Sequence, residues 1–345
     1  MSRTWQIALF ILGATVFGYL VAQIGVAQLA ADAASTGWMF VPIVALYALV
    51  FACSTVAWRL IMADDAHRPS YWRTYVTLVC ASSLNFLTPL VNAGGEPYRA
   101  AAMAPWLGKR RAAGSVILHR LLHSFAYVLI WLSAVILAFV MLPPHTRPVV
   151  YLLLGVAGVL LLGVLGLFLS AHRRGLLERI LNRMHRVPLI RGLAVLLEPR
   201  RALLVELDNQ ITEFYHRHPQ RFIKAVALEY LGRCLFMIEL LLIAASLGIK
   251  LGYFRAFAIG GLEAILNNAM FVVPFELGAR EGAFYVLFKL FGLDPQLGIY
   301  TSIVGRVRDF AWIAAGLLLI WVTTSVLAAA PAAPAAPAAT AARSE

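Results

Sequence analysis

Two short stretches of this chain gather glycine, an acid and an arginine inside otherwise apolar sequence. The first reads Asn92-Ala-Gly94-Gly95-Glu96-Pro97-Tyr98-Arg99, and the second reads Gly278-Ala-Arg280-Glu281-Gly282. Paired glycines let a backbone turn, and Pro97 suits the first turn of a new helix. A helix that starts inside a protein leaves amide N–H groups and the positive end of its dipole unmatched. Arg99 or Arg280 beside such a start makes a place for an anion, and phosphate fits it well. Arg120 follows Glu96 by 24 residues and Arg306 follows Glu281 by 25. This near-equal spacing predicts a duplicated unit, with Asn92, Gly94, Gly95, Glu96, Arg99, Arg120, Gly278, Arg280, Glu281 and Arg306 as its substrate-binding residues. The plainer alternative is a bent packing helix whose glycines allow close approach.

Other ionisable residues also fall inside apolar runs: Glu229, Arg233 and Glu239 in one, Glu263 in another, Arg308 and Asp309 beside Arg306. A charge at the centre of a lipid-spanning helix costs about 2.5–3.5 kcal/mol, so these groups should face a protein interior and pair. Glu263 and Asp309 are the candidates to carry a coupling proton. Glu229 and Arg233, four apart, are spaced to neutralise each other on one helix. His119-Arg120-Leu-Leu-His123 has the histidine spacing of a metal motif, but Arg120 stands where a zinc hydrolase needs its general base. A helix end near lipid headgroups accounts better for the two histidines. No phosphate-binding Gly-rich loop with Lys-Ser/Thr occurs, which excludes ATP as the direct energy source. No metal and no cofactor are expected.

The elements that must position these residues are membrane helices. Of 345 residues, 61% are hydrophobic and 13% charged, and the mean hydropathy is +0.80. That composition excludes an ordinary soluble domain. Cys53, Cys80 and Cys234 sit singly in apolar runs and suit packing. A hydrocarbon core of about 30 Å needs roughly 20 helical residues. Six runs reach that length: Thr4–Ala31, Ala33–Trp58, Ala112–Leu142, Val149–Ala171, Ala225–Gly248 and Pro295–Val326. Thr4–Ala31 exceeds a signal peptide's apolar region and is expected to be retained. Thr74–Gly95 and Ala256–Pro274 are broken by glycine, proline and amide residues before they complete a crossing. Basic residues flank the first of these on both sides, so it should enter and return. The segment His172–Lys224 carries eleven Lys and Arg against five Asp and Glu, which holds it in the cytoplasm and, by counting outward, both termini too. The second broken stretch then dips in from the opposite face, and the duplicated unit is inverted. Within the basic segment Leu203, Leu204, Leu207, Ile211 and Phe214 repeat at helical spacing, as in an amphipathic helix lying on the membrane. Residues 328–345 form an Ala/Pro tail too poor in large apolar side chains to build a core.

Asn92-Ala-Gly-Gly-Glu-Pro-Tyr-Arg99, Val116-Ile-Leu-His-Arg120 and Gly278-Ala-Arg-Glu-Gly282 with Arg306 downstream, taken in order, resemble the lysylphosphatidylglycerol synthase transmembrane family of flippase-like bacterial membrane proteins. The resemblance covers nearly all of residues 1–327 and implies lipid handling. Larger members carry a soluble aminoacyl-transferase domain after the membrane part. That domain is missing from this sequence, so the chain is not expected to make lysylphosphatidylglycerol itself. The sequence departs from the family at Pro274-Phe275-Glu276, where Pro-Gly-Gly is usual, and at His119, where Glu is frequent. The cargo should differ accordingly.

The expectation is an all-α inner-membrane bundle, residues 1–327, with six crossings and two re-entrant hairpins. Its function would be to flip an anionic, phosphate-bearing lipid between leaflets. Arg99 and Arg280 would hold the phosphate, Arg120 and Arg306 would line the polar passage, and Glu96 and Glu281 would pair with these arginines in its absence. A transporter-like rather than catalytic role is expected. The alternatives are a membrane-embedded lipid-modifying enzyme and a non-catalytic subunit of a lipid or glycolipid biosynthesis assembly. Expected partners are an anionic lipid and no nucleic acid, with a homo-oligomer or a lipid-biosynthesis partner left open.

Overall fold

The computed structural model describes residues 36–87, 94–174, 201–270 and 278–329, together with Thr15, Ala27, Ala34 and Glu198. The expected first crossing, Asn92, Pro274-Phe275-Glu276 and the Ala/Pro tail beyond Ala329 lie outside the described residues. Eleven α-helices and no strand occur among those described. They are α1 (Phe40–Ile61), α2 (Tyr71–Leu87), α3 (Gly95–Leu107), α4 (Lys109–Met141), α5 (Pro148–Arg174), α6 (Arg201–Arg217), α7 (Pro219–Phe236), α8 (Ile238–Ser246), α9 (Tyr253–Ala269), α10 (Ala279–Leu290) and α11 (Pro295–Ala329).

Three segments are long and apolar enough to cross a bilayer: Gly37–Ile61, Lys109–Met141 and Pro148–Leu169. At about 1.5 Å per residue α4 is roughly 50 Å long and outreaches the hydrocarbon core at one or both ends. On α5, Leu152 is 66% exposed and Val159 71%, a face that only lipid or another apolar surface can cover. The chain is a membrane protein built of helices. Two expected crossings have a different form. Ala225–Gly248 is divided at Met237, because the Tyr253 hydroxyl donates to the Cys234 carbonyl (3.0 Å) and so occupies an acceptor of the helical ladder. Pro295–Val326 lies within one 35-residue helix, but Arg306, Arg308 and Asp309 interrupt its apolar character.

Packing repeats itself along the chain. Helices α2, α3 and α4 pack consecutively, and so do α9, α10 and α11. Across the two sets α2 lies on α11 while α9 lies on α4, and α1 lies on α7. Exchanging the sets leaves this pattern unchanged. Both cross-contacts are close: a Cβ added at Gly316 would overlap Ser83 of α2, and one added at Gly261 would overlap Ala134 of α4.

The two helix starts differ from the expectation of free amides. Gly95 donates its N–H to Asn85 Oδ1 (2.6 Å), and Gly278 donates its N–H to Glu281 Oε2 (2.8 Å). Each start is capped by the protein's own side chain. Gly278 has φ 79°, which a glycine adopts without strain. At the first break Gly94 has φ −66°, and the need for glycine falls on Gly95, where a Cβ would meet the Ala81 carbonyl of α2.

On the side that carries the basic loops, Asp64 meets Arg221 (2.7 Å) and His218 (3.0 Å), and Asp65 meets Arg111 (3.0 Å). The Arg221 guanidinium holds the Asp64 carboxyl below its ordinary range. The exposed Asp64 pairs contribute at most about 1 kcal/mol each, while the Asp65–Arg111 pair is half-buried and two-pronged. Helix α6 buries Phe214 beside Phe222 in a core with Phe125, Leu165 and Phe168, so the C-terminal end of the expected amphipathic helix packs on the bundle.

Candidate functional site

Glu96 and Arg99 are one helical turn apart on α3, and Arg120 and His123 one turn apart on α4. α3 and α4 pack together because Gly108, at φ 75°, reverses the chain between them. Glu96 Oε1 then lies 3.5 Å from Arg120. Asn85 of α2 closes the group, its amide 3.4 Å from Glu96. Arg99 is 5% exposed. Its guanidinium lies 4.1 Å from the centroid of the Trp58 ring and donates to His119 Nδ1 (2.6 Å), while its Nε has no hydrogen-bond partner. No carboxylate stands within 4 Å of Arg99 among the described residues. The Trp58 face and the imidazole compensate a buried cation only in part, because a cation–π contact contributes about 0.5–2 kcal/mol against a desolvation cost of several.

Glu229 of α7 sits between the two histidines. Its Oε1 accepts from Ser54 Oγ (2.7 Å) and meets His119 Nε2 (3.0 Å), and its Oε2 meets His123 Nδ1 (2.6 Å). Arg233 bonds to His123 Nε2 (2.9 Å) and stacks over Tyr127 at 4.2 Å. The expected Glu229–Arg233 neutralisation is therefore replaced by an Arg–His–Glu–His–Arg chain. His119 is 2% exposed and His123 half-buried, and both lie well inside α4 and not at its end. Sequence reasoning missed this chain because its members come from α1, α3, α4 and α7, and no local spacing joins them. Ser54 donates to the carboxylate and not to an imidazole acting as base, so the group lacks the order of a nucleophile–base–orienter triad. Among the described residues no group of three or more His, Cys, Asp or Glu side chains is arranged to hold a metal ion.

In the second half Arg280 pairs with Asp309 (2.9 Å) and approaches Glu263 (4.0 Å). Arg308 pairs with Asp309 (2.6 Å) and, more closely, with Glu239, and its guanidinium lies over Tyr47 at 4.3 Å. Glu281 and Arg306 form a two-pronged pair at 2.6 and 3.0 Å, joined by Ser302 Oγ (3.0 Å). The acid–arginine pairs at separations of 24 and 25 thus both form. Arg99 and Arg280 are not strict equivalents: Arg99 follows its acid by three residues and Arg280 precedes its acid by one. On a helix those offsets differ by about 40° in direction and one turn in height. Each still lies against the residue just before the paired arginine, Arg99 on His119 and Arg280 on Gly305.

Two adjoining cavities receive these groups. One of about 160 Å³ is lined by Glu96, Arg99, His119, Arg120, Glu229 and Arg233. The other, about 510 Å³, is lined by Arg120 and Arg233 again and by Glu263, Arg280, Arg308 and Asp309. Tyr47, Asn85 and His123 also border both. Of the sequence-predicted site, Glu96, Arg99, Arg120 and Arg280 face these cavities, as do Glu263 and Asp309. Gly94, Gly95, Gly278, Glu281 and Arg306 line neither, and Asn92 lies outside the described residues. Five arginines face four carboxylates across the two spaces, a near balance. What favours an anion is local: Arg99 and Arg233 lack a carboxylate within 4 Å among the described residues.

No curated protein and no solved structure matches the chain. A family model does match it, over residues 5–317, and that span includes every helix that lines the cavities down to the greater part of α11. The chain belongs to the lysylphosphatidylglycerol synthase TM region family.

Proposed function

We propose that the chain moves a lipid with an anionic, phosphate-bearing headgroup between the leaflets of the bacterial inner membrane. One observation carries this reading: Arg99, buried with no carboxylate within 4 Å among the described residues, faces a cavity that adjoins the space before Arg280. A phosphate oxygen would form a charge-assisted pair with its guanidinium, and the acyl chains would stay in the bilayer. Six crossings, two re-entrant hairpins in an inverted repeat, and cytoplasmic termini complete the reading. The exchange-invariant packing of α2–α4 and α9–α11 supports the repeat. The role is transport, not catalysis. A lipid-modifying enzyme is the second reading, favoured by Glu229 between two histidines, and it would change a headgroup without a change of leaflet.

A leaflet assay in proteoliposomes with fluorescent phosphatidylglycerol tests the proposal. Arg99→Ala and Arg280→Ala should slow the movement at least tenfold, the loss expected when a charge-assisted contact of about 1.5–3 kcal/mol is removed. Equal rates in wild type and both variants would reject the site.

A further inference from the structure

A guanidinium donates hydrogen bonds and cannot accept them. Arg99 therefore donates to His119 Nδ1, which leaves that nitrogen with its lone pair and places the imidazole proton on Nε2, facing Glu229 at 3.0 Å. His123 holds the opposite tautomer by the same logic. Arg233 donates to its Nε2, and its Nδ1–H faces the second Glu229 oxygen at 2.6 Å. Both rings are neutral, and in each the single lone pair is taken by an arginine.

Proton and arginine exclude each other at those nitrogens. Protonating His119 with Arg99 in place would set two N–H donors against one another across 2.6 Å. When Arg99 turns to a phosphate in the cavity, the lone pair is released, and the imidazolium formed there stands against the Glu229 carboxylate. We propose that capture of an anion by Arg99 or Arg233 is coupled to uptake of one proton by the histidine, His119 or His123, whose lone pair that arginine releases, so that the site takes an anion and a proton together. This rests on the anion-site reading above and names the co-substrate of that site. The only bond made is N–H. The proton comes from a hydronium ion of the solvent, whose O–H bond breaks to leave water, and it returns to solvent when the anion leaves and the arginine resumes its place. Joint uptake leaves the buried charge unchanged, whereas the anion alone would add a charge to the membrane interior.

The surrounding groups leave this role to the histidines. α3 presents Glu96 and α4 presents Arg120, which pair with each other. α1 presents Tyr47 and Cys53, a phenol and a thiol that ordinarily titrate above pH 8, and α4 also presents Tyr127. α9 and α11 bring Glu263 and Asp309 to the space that His123 borders, where both already approach Arg280. α2 contributes the neutral Asn85.

Calorimetry of the purified full chain with dihexanoyl phosphatidylglycerol between about pH 6 and 8 tests the coupling. The probe is a phosphodiester and keeps one charge over this range, whereas a phosphomonoester would itself titrate near pH 6. Repeating each titration in buffers of different ionisation enthalpy counts the protons taken up. Wild type should take up protons on binding, and its affinity should fall with rising pH by up to about tenfold per pH unit for each proton coupled. His119→Gln with His123→Gln can accept from arginine and donate to Glu229 without titrating, so it should bind with a flat pH profile and no uptake. Wild-type binding with no uptake and a flat profile would overturn the coupling and leave the anion site standing. A double variant that keeps the wild-type slope would do the same. No binding to wild type at any pH would overturn both readings. The wild-type titration decides by itself if the variant does not fold.

Discussion

Arg308 has a side chain 1% exposed and is enclosed by Glu239, Asp309, Tyr47 and Phe236. Asp309 serves Arg308 and Arg280 together, so Asp309→Asn should weaken two buried pairs at once and leave Arg308 to Glu239 and Arg280 to Glu263. The expected loss is about 3–5 kcal/mol, the range for breaking a buried pair, read as a lower unfolding midpoint in detergent. Arg120 belongs to another kind: its side chain is 47% exposed and reaches Glu96 at only 3.5 Å. Arg120→Ala should change stability by no more than about 1 kcal/mol and still slow lipid movement. Equal losses of stability in the two variants would contradict this division between structural and cargo-facing arginines. The Glu96–Arg120 and Glu281–Arg306 pairs were legible in the sequence because both members lie on neighbouring elements at repeated spacing. The Glu229 chain was not, since Ser54 and His119 reach Glu229 from 175 and 110 positions away.

Among the helices, length and apolar content located α1, α4 and α5, because lipid imposes the same requirement on every crossing. The division of the next run at Met237 was hidden, because its cause is a hydroxyl on a different helix, Tyr253 of α9. The first break was legible in position but not in reason: its glycines looked like turn residues, while Gly95 is small so that α3 can touch the Ala81 backbone of α2. Gly95→Ala should therefore push these helices apart and cost about 1–3 kcal/mol, as overpacking does. Gly282→Ala is the matched control. Nothing lies within 4 Å of its Cβ direction and it sits within α10, so it should be neutral or stabilise by up to about 1 kcal/mol. Thermal unfolding of the two variants side by side separates the cases, and a stable Gly95→Ala protein would refute the close contact.

For the molecule as a whole, the exchange of α2–α4 with α9–α11 leaves the packing unchanged, and an inverted relation would place the turns after α3 and α10 on opposite faces. Single cysteines replacing Lys109 and Asp294, with Cys53, Cys80 and Cys234 removed, should be labelled by an impermeant maleimide from opposite sides. Labelling of both from one side would refute the inversion. Arg120 and His123 border both cavities from α4, the helix that also packs on α1, α3, α5, α7 and α9. Because this one rod walls both chambers, a substitution that tilts it should reshape the two spaces together.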